Sequence, residues 1–442
     1  MKPTARTQLD DLLRSCCVSP DTMDLRTMTQ LFLAQMRVSL YGGKSSIPML
    51  PTFLKPFGAL PDGQPVAVAE VDDRDVRVCL VTFTDGKPTL SDQDSFPVPG
   101  RDYPAPLQDL VYAVAELLEP LLDRAKDVAL CVPFPMDYDG KGDGVIRRFP
   151  ATMTVSGYEE ASLSAMLSQE LAERGFQDRN LVLVSEPDAV QLAAAVAKPG
   201  QSRYLGITWG SNIDGGFAAP GSIVLRWLGI PGDLMLMDCG FSSFEQVPFG
   251  MADLPKDRDC YGPGLDLLLK TTSTDYLGDT FRLIMIKAAE RKLLSFGCSR
   301  DILSLSTLDL DSVLAFLHDP AAGGTIAHYC REPEDREVAL VVANAVLDRA
   351  AHLVCAMLSA MAQFVGAGKD PKAPACLGAW GTALERPALK ARLEALLNDF
   401  TCDVLGHHII LCTAPNMPAV GSAAAALYNR PLPNQTKKEH SA

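Results

Sequence analysis

The stretch Val66–Phe83, VAVAEVDDRDVRVCLVTF, sets two β-branched apolar runs on either side of the acidic cluster Asp72-Asp73-Arg74-Asp75. That pattern predicts a buried strand pair, Val66–Val71 and Arg77–Phe83, joined by an acidic turn. Downstream, Leu107–Leu122 carries apolar residues at helical spacing, Val128–Val132 is a short buried strand, and DYDGKGDG (137–144) is a turn. Ser156 and Glu159 read as an S-x-x-E capping box for a helix carrying Leu163, Met166, Leu167 and Leu171 and closed by Gly175. Leu181–Val184 is again a strand, and Glu186-Pro187-Asp188 opens an alanine-rich helix, since proline suits a first turn. Asp188 therefore stands at a strand-to-helix junction. Alternating strand and helix predicts an α/β fold.

The opening pattern recurs once. Tyr204–Phe217, YLGITWGSNIDGGF, again reads strand, polar loop, strand, and follows the polar segment Lys198–Arg203 that marks a boundary. Helices are expected over 277–296 and 334–363. Upstream, residues 1–43 are helical up to Gly42-Gly43, and 47–65 holds five prolines among large apolar residues, which predicts packed extended chain. The expected division is a helical arm and proline-rich approach over 1–56 belonging to the larger domain, a small α/β domain over 57–198 and a large one over 199–418. A helix over 419–430 returns to the small domain, and 431–442 is a polar, mobile tail.

Composition excludes several classes. The 442 residues allow two or three domains, and 47% hydrophobic with 21% charged residues excludes disorder for most of the length. Forty Lys+Arg against 54 Asp+Glu give a net charge of −14, which repels phosphate backbones and anionic lipid; nucleic acid is not an expected partner. Twelve cysteines without a C-x-x-C pair read as reduced thiols, and the polar, acidic start lacks a secretory apolar core, so a cytoplasmic protein is expected. Leu353–Gly366, interrupted by Ser359 and Gln363, reads as a buried helix and not a membrane span.

The six histidines include no H-E-x-x-H and no zinc spacing, and DYDGKGDG has Lys141 and Arg148 where a calcium loop needs acids. No G-x-S-x-G, Walker A or G-x-G-x-x-G is present. What remains is a set of polar loops at strand ends, where α/β proteins place ligands: Asp72–Asp75, Gly210–Gly216 and Gly378–Thr382. GSNIDGG is the most suited to phosphate, since glycines admit close approach of backbone N–H groups and Ser211 adds a hydroxyl; an ordinary hairpin turn is the competing reading. Asp188 is stabilised by the helix dipole whether or not it does chemistry.

Ser45-Ser46-Ile47-Pro48-Met49-Leu50-Pro51-Thr52-Phe53 resembles the S-S-x-x-M-L-P-T-F approach of the hexokinase family, and Tyr276-Leu277-Gly278-Asp279 through Arg282-Leu283-Ile284 resembles its Y-L-G-E-x-x-R-L-I helix, preceded by Pro263-Gly264. The resemblance runs from the N-terminal arm to about Arg430. It implies the actin-like, ribonuclease-H-like two-domain fold, a cleft that closes on a hexose, and phosphoryl transfer from ATP with Mg²⁺.

Carried over by position, the family's catalytic base falls on Asp188, in Pro187-Asp188-Ala189-Val190-Gln191 against N-D-T-V-G. The first phosphate loop, D-L-G-G-T-N-x-R, corresponds to Glu70–Arg77, with aspartates for both glycines, which implies weak ATP binding through repulsion and blocked amides. The second, G-T-G-T-N, corresponds to Gly210-Ser211-Asn212-Ile213-Asp214, which assigns Gly210, Ser211 and Asp214 to nucleotide. The sugar side retains Arg147, Asp238 and Gly240, while Pro133, Leu236, Cys239 and Leu269 replace family polar or aromatic residues. Gly378 matches the adenosine-side V-G-V-D-G, whose Asp is Trp380, and Gly421-Ser422 the closing G-S-G-K-G-A-A without its lysine. The metal ligands are unassigned. A kinase of a hexose or related sugar, and a catalytically silent protein of the same fold that binds a ligand or partner, both remain open.

Overall fold

A computed structural model describes residues 3–430 apart from Asp73, Lys141, Gly142, Ala151, Thr152, Leu228, Tyr261 and Gly323. The tail expected at 431–442 and Asp73 of the acidic turn lie outside the described residues. Two main sheets carry the fold. The first has the order Asn180–Ser185, Asp127–Val132, Val66–Val71, Asp75–Thr84, Lys87–Pro97; the second has Leu50–Pro51, Leu234–Asp238, Ile213–Pro220, Tyr204–Trp209, Ala375–Trp380, Ile409–Cys412. In each, three consecutive strands form an antiparallel meander, and two later strands add in parallel beside its first member. The duplication that was faint in sequence is thus explicit in topology.

Between the sheets lie two helices. Glu186–Ala197 rests on the second sheet, and Met417–Tyr428 packs on both the first sheet and Glu186–Ala197. Their crossing is tight: a Cβ at Gly421 would stand 1.7 Å from the Ala189 carbonyl oxygen. Ala189, Ala193, Ala423 and Ala424 are all buried there, so small residues bring the two backbones together. The long helix Pro333–Val365 has the length and hydropathy of a membrane span, but its apolar surface is mostly buried, packed against Leu25–Leu40 and the helices Leu267–Thr272 and Thr274–Glu290. The arm itself is two helices, Pro3–Ser15 and Leu25–Leu40, whose leucines and Phe32 join the same core. All twelve cysteines are free thiols; Cys17, Cys260 and Cys402 are half-buried and the other nine buried.

Three local expectations are corrected. The helix Leu163–Glu173 is capped by Ser162, whose Oγ accepts from the Ala165 N–H, and not by a Ser156/Glu159 box. Gly157 and Glu160 both have positive φ, +72° and +63°, which breaks any helix begun at Ser156. GSNIDGG is a loop only over Gly210–Asn212, because the strand resumes at Ile213 and Asp214 pairs with Thr208. GAWGT likewise lies in a strand through Trp380, leaving Gly381 and Thr382 beyond its end.

Candidate functional site

The strands Val66–Val71, Asp127–Val132 and Asn180–Ser185 are parallel, so the residues after their carboxyl ends share one edge of the first sheet. Those residues are Asp72, Pro133 and Glu186–Asp188. Facing them is the Gly210–Asn212 turn of the second sheet, tied across by Asn212 Nδ2 donating to the Pro133 carbonyl at 2.9 Å. A cleft of about 220 Å³ opens here, lined on one side by Asp72, Arg74 and Arg77 and on the other by Gly210, Ser211, Trp380 and Thr382.

Asp188 lies in the first turn of Glu186–Ala197, whose N-cap Ser185 accepts from the Asp188 N–H at 3.4 Å. Its side chain is fully buried, and neither carboxylate oxygen has a well-formed hydrogen bond. Burial pushes its pKa from 3.8 up to about 8; the Ser185 hydroxyl offsets part of this, Asp214 adds to it, and the Thr52 hydroxyl opposes it. Gly216 makes the room: a Cβ there would stand 2.7 Å from Asp188 Oδ1.

Gly216 pairs directly with Asp238 across the sheet, and Asp214, two residues earlier, shares its face. Asp214 and Asp238 therefore point the same way, toward Asp188. Asp214 Oδ1 accepts from the N–H groups of Gly215 at 2.7 Å and Phe241 at 2.8 Å, and burial raises its pKa to about 7 despite those bonds. Asp238 Oδ1 accepts from the Gly240 N–H at 3.1 Å, a geometry set by the left-handed Gly240, φ +67°. Burial, then Asp214 and Asp188, raise the Asp238 pKa well above its ordinary value. Three carboxylates thus converge in one dry place, with the Tyr138 hydroxyl, itself buried and unpartnered, close enough to feel Asp238 and Asp188.

The assigned residues consequently divide. Asp188, Asp238, Gly240 and Asp214 come together, which moves Asp214 from the expected nucleotide side to the carboxylate group. Gly210 and Ser211 line the cleft. Arg147 does not join either set: its guanidinium pairs with Asp137 at 2.6 Å in a half-exposed position. Its neighbour Arg148 reaches across instead, bonding Asp266 and, at 2.7 Å, Ser243 Oγ, so it bridges the two sides over the carboxylates. Gly378 and Gly421 lie at packed crossings with Glu186–Ala197, where a Cβ would meet the Val190 and Ala189 carbonyls, and Ser422 is fully buried beside Gly421; none of the three lines the cleft.

The acidic turn also differs from its sequence reading. Asp72 Oδ1 accepts from the N–H groups of Arg74 at 2.6 Å and Asp75 at 2.7 Å, and Oδ2 from Arg77 at 2.6 Å. The Asp72 carboxylate is turned back into its own turn, and is not a free charge facing the cleft. Thr382 closes the Gly378–Thr382 segment already singled out; missed at the sequence level were Arg148, Tyr138 and Thr208, whose buried hydroxyl is unpartnered. No motif flags them; only the fold brings them to the site.

Two family models described as hexokinase match this chain in tandem, over residues 8–196 and 229–428. The chain belongs to the hexokinase family. It is 22% identical over 433 residues to hexokinase-2 of Candida albicans, covering 91% of this chain and 88% of that one. To hexokinase-1 of Saccharomyces cerevisiae it is 20% identical over 306 residues, 65% of this chain and 62% of the relative. The structure of a Schistosoma mansoni hexokinase complexed with glucose superposes with a TM-score of 0.80 at 19% identity, covering 96% of this chain and 99% of that one. At that identity the likeness establishes the hexokinase fold, with its cleft between the two sheets.

Proposed function

We propose that this hexokinase-family chain transfers a phosphoryl group from ATP to a hydroxyl of a hexose or related sugar. The reading rests on one observation: Asp188, buried at the cleft end of its helix, has no well-formed protein hydrogen bond on either carboxylate oxygen. A carboxylate left unpaired in a dry site is costly unless a ligand completes it, and a sugar hydroxyl is the donor it lacks. Family position and geometry support a role for each residue. Asp188 takes the hydroxyl proton, and its raised proton affinity suits that task. Asp214 and Asp238 orient further hydroxyls, Gly240 fixes Asp238, and Gly210, Ser211 and Thr382 offer the nucleotide its contacts.

Among the described residues no group of three or more histidine, cysteine or acidic side chains, the converging carboxylates included, has an arrangement that could hold a metal ion. When bound, Mg²⁺ would be held by the phosphates of the nucleotide and would supply charge neutralisation there. The two sheets are read as the two domains that close on the sugar, and the free thiols suit a cytoplasmic setting. The second reading, a silent hexokinase-fold protein, is favoured by the sealed carboxylates and by the Arg148 bridge above them. ADP release from Mg-ATP, measured across a panel of neutral and amino hexoses, tests the proposal: sugar-dependent ADP with at least one hexose supports it. Sugar binding without ADP release replaces it by the silent reading.

A further inference from the structure

A phosphate entering at the end of the first sheet nearest Asp188 meets the turn after Val66–Val71. The donors of that turn that would receive it are the N–H groups of Arg74 and Asp75 and the guanidinium of Arg77. All three are already engaged by one side chain, Asp72, at 2.6, 2.7 and 2.6 Å. Arg77 is held on its other side by Glu70 at 3.3 Å, which leaves its charge balanced within the protein. Two adjacent backbone N–H groups with a guanidinium form an anion cradle, and here a carboxylate of the same chain fills it. The opposite wall is formed by Gly210, Ser211, Gly381 and Thr382.

We propose that Asp72 sets which nucleotide the cleft accepts: its carboxylate stands where a terminal phosphate would be held, so a nucleoside diphosphate is preferred to the triphosphate. This rests on reading the cleft as the nucleotide site. Occupancy, and not charge repulsion, is the cause. The two are separable, because asparagine loses the charge but keeps an oxygen for the two N–H groups, whereas alanine empties the cradle.

Calorimetry of AMP, ADP and ATP, with Mg²⁺ at fixed concentration, on the wild type, Asp72→Ala and Asp72→Asn tests it. The wild type should bind ADP at least about tenfold tighter than ATP, as expected for loss of one or two charge-assisted bonds. Asp72→Ala should tighten ATP by about tenfold or more and leave AMP unchanged, while Asp72→Asn should improve ATP far less. Unchanged AMP affinity also reports an intact cleft; should alanine lose it, Asp72→Ser, too short to reach Arg77, carries the same expectation. Wild-type ATP binding as tight as ADP, or asparagine matching alanine, overturns the proposal. ADP bound without any influence of Asp72 overturns it while leaving the nucleotide site standing, whereas no nucleotide bound by any of these proteins overturns both.

Discussion

Replacing Asp188 by asparagine should make the protein more stable at alkaline pH. The folded-state pKa of Asp188, about 8, lies above its unfolded value of 3.8, so the unfolded chain releases this proton first. The contribution of Asp188 to stability is therefore greatest below pH 3.8 and falls steadily as pH rises toward 8, where the folded group also ionises. Linkage across that interval of about four units, at 1.36 kcal/mol per unit, gives a penalty of roughly 5 kcal/mol at pH 8 and about 2 kcal/mol at pH 5. Asparagine cannot ionise and escapes both. An imperfectly bonded buried amide costs about 1–3 kcal/mol at either pH, so the change in the gap between pH 5 and 8, roughly 3 kcal/mol, is the quantity to measure. Urea unfolding at pH 5, 6.5 and 8, with unchanged m, measures it. A gap that stays constant with pH, or a wild type more stable at pH 8, refutes the reasoning and means that the carboxylate has a cationic partner.

Arg349 and Asp253 form a two-bond ion pair at 2.7 and 2.8 Å, both side chains buried, anchoring the long helix to the segment around Gly250. Arg349→Met should destabilise by about 3–5 kcal/mol, because it strands a buried carboxylate; urea midpoints check this. Arg148→Ala removes the bridge to Asp266 and Ser243, so amide exchange in the hairpin strands Met136–Tyr138 and Gly144–Ile146 should accelerate at least about tenfold. Unchanged exchange there means that the bridge does not hold the hairpin in place.

Element types were legible where local chemistry decides them. Val66–Val71, Tyr204–Trp209 and the proline-started helix at Glu186 follow directly from apolar runs and a first-turn proline. The capping box failed because Ser162 and Ser156 are equally good caps locally, and the positive φ at Gly157 and Glu160 belongs to the path of the chain. Asp188 could be placed at a junction from sequence, and the hexokinase resemblance supplied the role proposed for it. The convergence of Asp214 and Asp238 could not be read, since it depends on strands Ile213–Pro220 and Leu234–Asp238 pairing in one register. Arg148 shows the same limit in miniature: one residue along the chain separates a solvent-facing arginine from one that spans the cleft. The glycines at 378 and 421 have a packing reason that motif matching alone cannot distinguish from a ligand-binding one.

The most direct test of the kinase reading is mass-spectrometric detection of sugar phosphate formed from Mg-ATP by the wild type and by Asp188→Asn, over the same panel of hexoses. With Asp188 as general base, the wild type forms a hexose phosphate and the variant forms it about two to four decades more slowly. Product formed by Asp188→Asn at the wild-type rate, or no product from the wild type with any sugar that it binds, would contradict the account.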